Sequence, residues 1–214
     1  MASAALLAVS CLDKQPQSAI PQQQAMQTFD DAEQTVTGIY SLLKSGALYS
    51  GHLTILPDLQ TDLVYAVDGY SNTYGSFWLW TIRSTTSEIE SIYAALYQII
   101  ANCNFYLDYI DRVVAATTDD TKLKDLDTYT GEVYAIRALA YSELLKCYCK
   151  AYHPETAKQE LGVVLRTTTL DKQPLPRASL YDSYQQVIRD LERAEELLDE
   201  KNDAYSSAFV TRAM

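Results

Sequence analysis

Arg137 is the residue of this chain whose position most needs a chemical explanation. It lies in the largely apolar segment 132–148, EVYAIRALAYSELLKCY, where an unpaired guanidinium would be very costly to bury. Two interpretations account for it, an anion-binding site and a structural ion pair, and we favour the ion pair. The partners that we consider are backbone carbonyls and the carboxylates of Glu132, Asp190 and Glu195.

Residues of the kinds used for catalysis or metal binding are sparse. The two histidines, His52 and His153, form no convincing Ser-His-Asp or Cys-His arrangement and lie at no ligand spacing from a cysteine. Asp58 and Asp62 have the helical spacing that acid–base chemistry or calcium binding would use, but an exposed helix surface explains them better. We therefore predict no catalytic residue, no metal site and no cofactor.

Composition excludes some classes of partner. Nearly half of the 214 residues are hydrophobic, which predicts a globular chain with a core. The formal net charge of −11 disfavours binding to nucleic acid phosphates. No Gly-rich nucleotide-binding motif is present.

Hydrophobic residues recur every three or four positions in several segments, and this spacing predicts a mainly all-α fold. Segment 63–83 lacks that period and is predicted to be a structured loop, and 117–128 a polar linker. Residues 47–62 are read as a short helix or an irregular connection, and 162–168 as a short extended piece. One predicted helix begins at the Thr28 cap and ends near Gly46, and a second spans 88–112 with Ser87 and Glu90 as its capping pair. Two more are predicted at 132–149 and 179–199, the last of them capped by Ser179.

The N-terminus predicts a lipid anchor, and the alternative interpretation is a frayed apolar terminus. The small and apolar residues 2–10 precede Cys11 as in the lipobox of a bacterial lipoprotein, where lipid is attached to the cysteine. A polar, proline-bearing stretch follows, which is typical of a tether. We therefore divide the chain into a signal remnant, anchor and tether at 1–27 and a helical domain at 28–214, which we expect to be incomplete at its C-terminus.

These segments, in this order, resemble the SusD-like (RagB/SusD) family of surface lipoproteins. The segment GEVYAIRALAYSELLKCY is similar to the signature helix of the family, with Glu132, Arg137, Ala138 and Tyr141 at the matching positions. The other matching segments are the Cys11 region, TFDDAEQTVTGIYSLL, PDLQTD, EIESIYAALYQIIANCNFYLDYI and PLPRASLYDSYQQVIRDLERAEELL. Family members are usually about twice as long, so the resemblance implies an N-terminal portion.

The resemblance implies a scaffold of tetratricopeptide-like helix pairs with an irregular ligand-binding region. It also implies a surface-exposed, lipid-anchored outer-membrane protein that binds glycans or other nutrients without cleaving them. Its partner would be a SusC-like TonB-dependent transporter, for uptake of oligosaccharides. The alternative is a tetratricopeptide-type protein-interaction scaffold with no carbohydrate role.

A glycan-binding surface needs flat aromatic rings, with amides or carboxylates nearby for the sugar hydroxyls. Both tryptophans of the chain lie in segment 63–83, and loops are where binding residues concentrate. In an extended segment Trp78 and Trp80 would face the same side. The opposing hypothesis is that both tryptophans anchor the loop onto the helices. The predicted ligand-binding residues are Tyr70, Asn72, Tyr74, Trp78 and Trp80, with Asp68 beside them.

Overall fold

The structure, a computed structural model, describes residues 25–61, 63, 64, 67 and 73–198. Within these ranges the fold is mainly α-helical, as predicted. None of the helices in them combines the length and apolar character that a membrane crossing requires. The helices are α1 (Phe29–Leu43), α2 (His52–Gln60), α3 (Gly75–Trp78), α4 (Ser87–Ala116), α5 (Asp120–Tyr148) and α6 (Leu180–Leu197).

Two helices begin at the capping residues that the sequence predicts. At α1, the Thr28 side chain accepts a hydrogen bond from the Asp31 N–H at 3.2 Å, and the Asp31 carboxylate accepts one from the Thr28 N–H at 2.9 Å. At α6, Ser179 Oγ accepts from the Asp182 N–H at 3.0 Å. Each cap satisfies a backbone donor that the first turn leaves without a partner.

The predicted boundary between α4 and α5 is wrong. Asp119 caps α5 by accepting hydrogen bonds from two backbone N–H groups, so the helix starts within the predicted linker 117–128. Leu126 is fully buried and Leu123 packs against the core. These two leucines give the polar segment the apolar face that a packed helix needs.

The start of α4 also differs from the prediction. Its N-cap is Thr86, without a side-chain capping bond, and Ser87 Oγ instead donates to Glu88. At its other end the helix continues to Ala116, beyond the predicted end near Arg112. Val113 is fully buried, and this burial accounts for the extra turn.

Helix α5 is the centre of the scaffold. It packs against α4 on one side and against α6 on the other, and α1 lies against both α4 and α5. Ala138 and Ala140 of α5 are buried, and such small side chains allow neighbouring helices to approach closely. The three long helices therefore form the adjacent pairs that the sequence predicts.

The connection between α5 and α6 includes an extended stretch held by side chains of the helices. The Tyr97 hydroxyl bonds to both the N–H and the C=O of Val164, each at 3.0 Å. The Tyr141 hydroxyl bonds to the C=O and the N–H of Arg166 at 2.7 and 3.0 Å. Tyrosines thus satisfy the backbone groups that a neighbouring strand would otherwise satisfy.

Candidate functional site

Helix α3 presents the aromatic residues that the sequence singles out. It is a single turn, and Phe77, 1% exposed, fixes it to the hydrophobic core. Trp78 is 38% exposed and Trp80 is 66% exposed. Phe77, which sequence reasoning missed, therefore anchors the turn, and both indole rings keep exposed surface.

The expected alternation of Trp78 and Trp80 along an extended segment is wrong. Trp78 closes the helical turn, and Trp80 adopts a left-handed backbone conformation with φ of 55°. The reason is a local hydrogen-bonding pattern that ends α3. The Trp80 N–H donates to the Phe77 carbonyl at 3.2 Å, and the Thr81 N–H donates to the Ser76 carbonyl at 2.8 Å.

This pair of hydrogen bonds is a Schellman motif with tryptophan at the position that usually holds glycine. Glycine is favoured there because a side chain at positive φ crowds its own backbone. A left-handed conformation at a bulky aromatic residue costs about 1–3 kcal/mol and is concentrated at functional sites. The conformation of Trp80 thus favours a functional role for its ring.

Tyr74 is the second left-handed residue and immediately precedes α3, with φ of 59°. Its ring packs against the His52 ring in a T-shaped arrangement, with centroids 5.6 Å apart and planes at 82°. His52 Nδ1 lies 3.1 Å from Ser91 Oγ of α4. Tyr74 is half-buried by these contacts, so its ring helps to fix the start of the turn. Asp68, Tyr70, Asn72 and Cys11 lie outside the described residues.

Arg137 lies in a buried ion pair, away from solvent. Its Nε and Nη2 donate to the two carboxylate oxygens of Asp190 at 2.8 and 2.6 Å, and its Nη1 donates to Asn104 Oδ1 at 2.8 Å. The two charged side chains are 6% and 2% exposed. Of the three carboxylates considered above, Asp190 is the one that binds Arg137, and the pair joins α5 to α6 while Asn104 adds α4.

The electrostatics of this cluster suit a structural role. Burial by itself disfavours the charged guanidinium, but the hydrogen bonds and the negative charge of Asp190 outweigh it and raise the pKa of Arg137. Burial also raises the pKa of the neighbouring Cys103 thiol to about 12. Cys103 therefore stays protonated at neutral pH and behaves as a small core residue.

A groove of about 660 Å³ lies beside α3 and was not predicted from the sequence. Its walls are apolar, and a buried carboxylate, that of Glu143, lies among its lining residues. No sequence motif predicts this groove, because its lining residues come from four separate helices, α2, α3, α4 and α5. The main apolar lining residues are Leu53, Leu56, Pro57, Phe77, Ile89 and Ile92.

Comparison with known proteins identifies the family. Residues 11–213 match the profile of a SusD-like family described as starch-binding and associating with the outer membrane. The SusD-like protein P25 of Formosa agariphila is 26% identical over 168 residues, which are 73% of this chain and 30% of that protein.

Solved structures share the fold. A SusD superfamily protein from Bacteroides vulgatus superposes with a TM-score of 0.74 and 22% identity, over 88% of this chain and 42% of that one. A SusD homologue from Bacteroides thetaiotaomicron gives a TM-score of 0.67 and 26% identity, over 86% of this chain and 33% of that one. The chain thus spans less than half the length of each of these relatives. Because the family profile matches nearly all of it, the chain belongs to the SusD-like family.

Proposed function

We propose that this chain is part of a cell-surface lipoprotein that captures a polysaccharide or oligosaccharide. In this proposal it delivers the glycan to a SusC-like TonB-dependent transporter in the outer membrane. The observation that carries the proposal is the pair of exposed tryptophans on α3, one of them in a strained backbone conformation.

The chemistry of the α3 turn suits a sugar ligand. An indole ring offers a flat apolar face for the C–H side of a sugar ring, and its N–H remains available for a hydroxyl. Trp78 and Trp80 are two residues apart at the end of a turn that Phe77 fixes to the core. A rigid turn loses little conformational entropy when its side chains bind, which favours affinity. Tyr74, Tyr70 and Asn72 belong to the same proposed site.

The proposal includes an anchor and excludes catalysis. Lipid on Cys11 would hold the protein at the outer membrane, with which the family is described as associating. Since no catalytic arrangement was predicted from the sequence, we propose that the bound glycan is released intact. Incubating the protein with the glycan that it binds and analysing the mixture for shorter products tests this point, and product formation would contradict it.

Glycan binding is tested with a panel of soluble polysaccharides by affinity electrophoresis. The site variant is the double substitution Trp78→Ala and Trp80→Ala. The control is Tyr152→Ala, because Tyr152 is a similarly exposed aromatic residue, 37% exposed, that packs against Tyr184 of α6. We expect the double variant to lose retardation by the bound polysaccharide and the control to keep it. Equal retardation of all three proteins would refute the site.

The anchor is tested separately by metabolic labelling with radioactive palmitate. The expressed gene must carry its own signal sequence, and Cys11→Ser is the control. We expect label in the wild type and none in the variant. An unlabelled wild-type protein would favour the alternative, an interaction scaffold of the tetratricopeptide type, since that role needs no lipid.

A further inference from the structure

The groove beside α3 has the size of a small-molecule site. Its volume of about 660 Å³ lies in the range of roughly 300–1,000 Å³ that ligand pockets occupy. Leu53 and Leu56 of α2 form one wall, Ile89 and Ile92 of α4 form another, and Phe77 is also part of the lining. Trp78 and Trp80 are not among its lining residues, so the groove is distinct from the proposed glycan site.

The polar part of the groove is built around Glu143 of α5. Glu143 is 9% exposed, and its Oε1 accepts hydrogen bonds from the Tyr49 hydroxyl at 3.1 Å and from Lys146 Nζ at 2.6 Å. Burial raises the pKa of Tyr49, so its hydroxyl stays protonated and donates. Among the described residues no group donates to the other oxygen, Glu143 Oε2. Glu143 lines the groove, and its Oε2 is not one of the fully buried polar atoms without a partner in the described part of the chain.

The carboxylate of Glu143 and the ammonium of Lys146 both line the groove, and the carboxylate is the more buried of the two. The Lys146 side chain is 60% exposed, whereas that of Glu143 is 11% exposed. Water screens the ammonium of Lys146 much more than the buried carboxylate. The groove therefore offers apolar walls together with one strong hydrogen-bond acceptor of negative charge.

We propose that the groove binds a small amphiphile whose apolar body carries a hydrogen-bond donor, an ammonium or a hydroxyl group, which is bound by Glu143 Oε2. The apolar body displaces water from the leucine and isoleucine walls, and this displacement supplies the non-specific part of the affinity. The donor supplies the selectivity, because hydrogen bonds to an ionised carboxylate are about twice as strong as neutral ones. A ligand carboxylate is disfavoured by repulsion from Glu143.

Three probes of equal chain length separate these contributions. Octylamine, octanol and octanoate are titrated into the chain at pH 7 by isothermal titration calorimetry. We expect the amine to bind best and octanoate worst, with a difference of about tenfold or more, since charged hydrogen bonds contribute about 1.5–3 kcal/mol. The amine and the alcohol represent the two possible donors, and their ratio shows which one the site prefers.

Glu143→Gln tests the role of the carboxylate, and Glu132→Gln is its matched control. Glu132 is on the same helix and interacts with Tyr40 in the way that Glu143 interacts with Tyr49, but it does not line the groove. We expect Glu143→Gln to bring the three probes to similar affinities and Glu132→Gln to keep their order. An unchanged order in Glu143→Gln would overturn the proposal.

Filling the groove tests the location. Cys147 lines the groove on an exposed position of α5, so Cys147→Trp adds bulk there without disturbing the core. We expect this variant to bind none of the probes while melting at a temperature close to that of the wild type. Binding of the probes to Cys147→Trp would place them elsewhere and overturn the proposal.

Two further outcomes would also overturn it. The first is a wild-type chain that binds none of the probes and sediments as a dimer, because a second copy would then fill the groove. The second is a shift of tryptophan fluorescence on addition of octylamine, since neither tryptophan lines the groove. A wild-type chain that binds the probes normally but binds no glycan would contradict only the proposed glycan site.

Discussion

Which of the variants Trp80→Gly and Trp80→Ala is more stable depends on whether the backbone at position 80 is left-handed. At an ordinary position glycine is less stable than alanine by about 0.5–1 kcal/mol, because the unfolded glycine chain has more freedom. Trp80 has φ of 55°, where alanine is strained by about 1–2 kcal/mol and glycine is not. We therefore expect Trp80→Gly to be more stable than Trp80→Ala by about 1 kcal/mol or slightly less.

The same pair of substitutions at Trp78 is the internal control. Trp78 ends α3 and is not among the residues with positive φ in the described part of the chain. We expect Trp78→Ala to be more stable than Trp78→Gly, which is the ordinary order. The two variants of each pair lack the same indole ring, so the difference in stability between them reports the backbone conformation and not the lost side chain.

The assay is urea unfolding followed by far-ultraviolet circular dichroism, together with glycan binding by affinity electrophoresis. In a domain of this size 1 kcal/mol corresponds to about 2–4 °C in the melting temperature, which gives a second measurement. We expect both Trp80 variants to lose binding by about tenfold or more, as for an aromatic residue at the centre of an interface. If Trp80→Ala is the more stable of the two, the Schellman assignment is wrong. If Trp80→Gly binds glycan normally, the Trp80 ring has no role in binding.

Three further predictions concern the scaffold. Asp190→Ala leaves the buried charge of Arg137 unpaired and should cost about 3–5 kcal/mol in urea unfolding, whereas the double variant Arg137→Met with Asp190→Leu should cost less. Gly162→Ala should destabilise the fold by about 1–3 kcal/mol, because the added Cβ would lie 2.1 and 2.5 Å from oxygen atoms at the start of α6. Gly38→Ala should stabilise it by about 0.5–1 kcal/mol in the same assay, because a Cβ added there meets no atom within 4 Å. The pKa of Asp31 is lowered, first by the backbone N–H of Gln27, so its contribution to stability is present above the ordinary value of 3.8 and is lost as the pH falls through the lower folded value. Wild type and Asp31→Asn should therefore differ in unfolding midpoint at pH 6 and converge in strong acid, and a constant difference would contradict the assignment.

The helical scaffold was largely predictable because its signals are local. The capping pairs of α1 and α6 are short motifs, and the buried stripes repeat every three or four residues. The start of α5 was missed because residues 117–128 are mostly polar, and only Leu123 and Leu126 mark the buried face. Two apolar residues are too few to predict the buried face of a helix from the sequence, and only their contacts with the neighbouring helices reveal that face.

The candidate site was less predictable because its geometry depends on contacts that are distant in the chain. The sequence indicated Trp78 and Trp80, but the backbone conformation of Trp80 follows from the hydrogen bonds that end α3. No glycine marks that position, so the usual signal for a Schellman motif is absent. Phe77 resembles its aromatic neighbours in sequence, and only packing against the core distinguishes it.

The groove and the partner of Arg137 show the same dependence on tertiary structure. Asp190 is 53 residues from Arg137, and the sequence left two other carboxylates as candidates. In the sequence Glu143 is not distinguished from other acidic residues on helices. Only the structure shows that Tyr49 and Lys146 both donate hydrogen bonds to it.

The most direct test of glycan binding by α3 is tryptophan fluorescence during a titration with the polysaccharide that the chain binds. The chain contains only two tryptophans, Trp78 and Trp80, so its indole emission reports this turn alone. Because both rings are exposed in the free chain, we predict a shift of the emission to shorter wavelength that saturates with the bound fraction. Saturable glycan binding without any change in tryptophan emission would contradict the account.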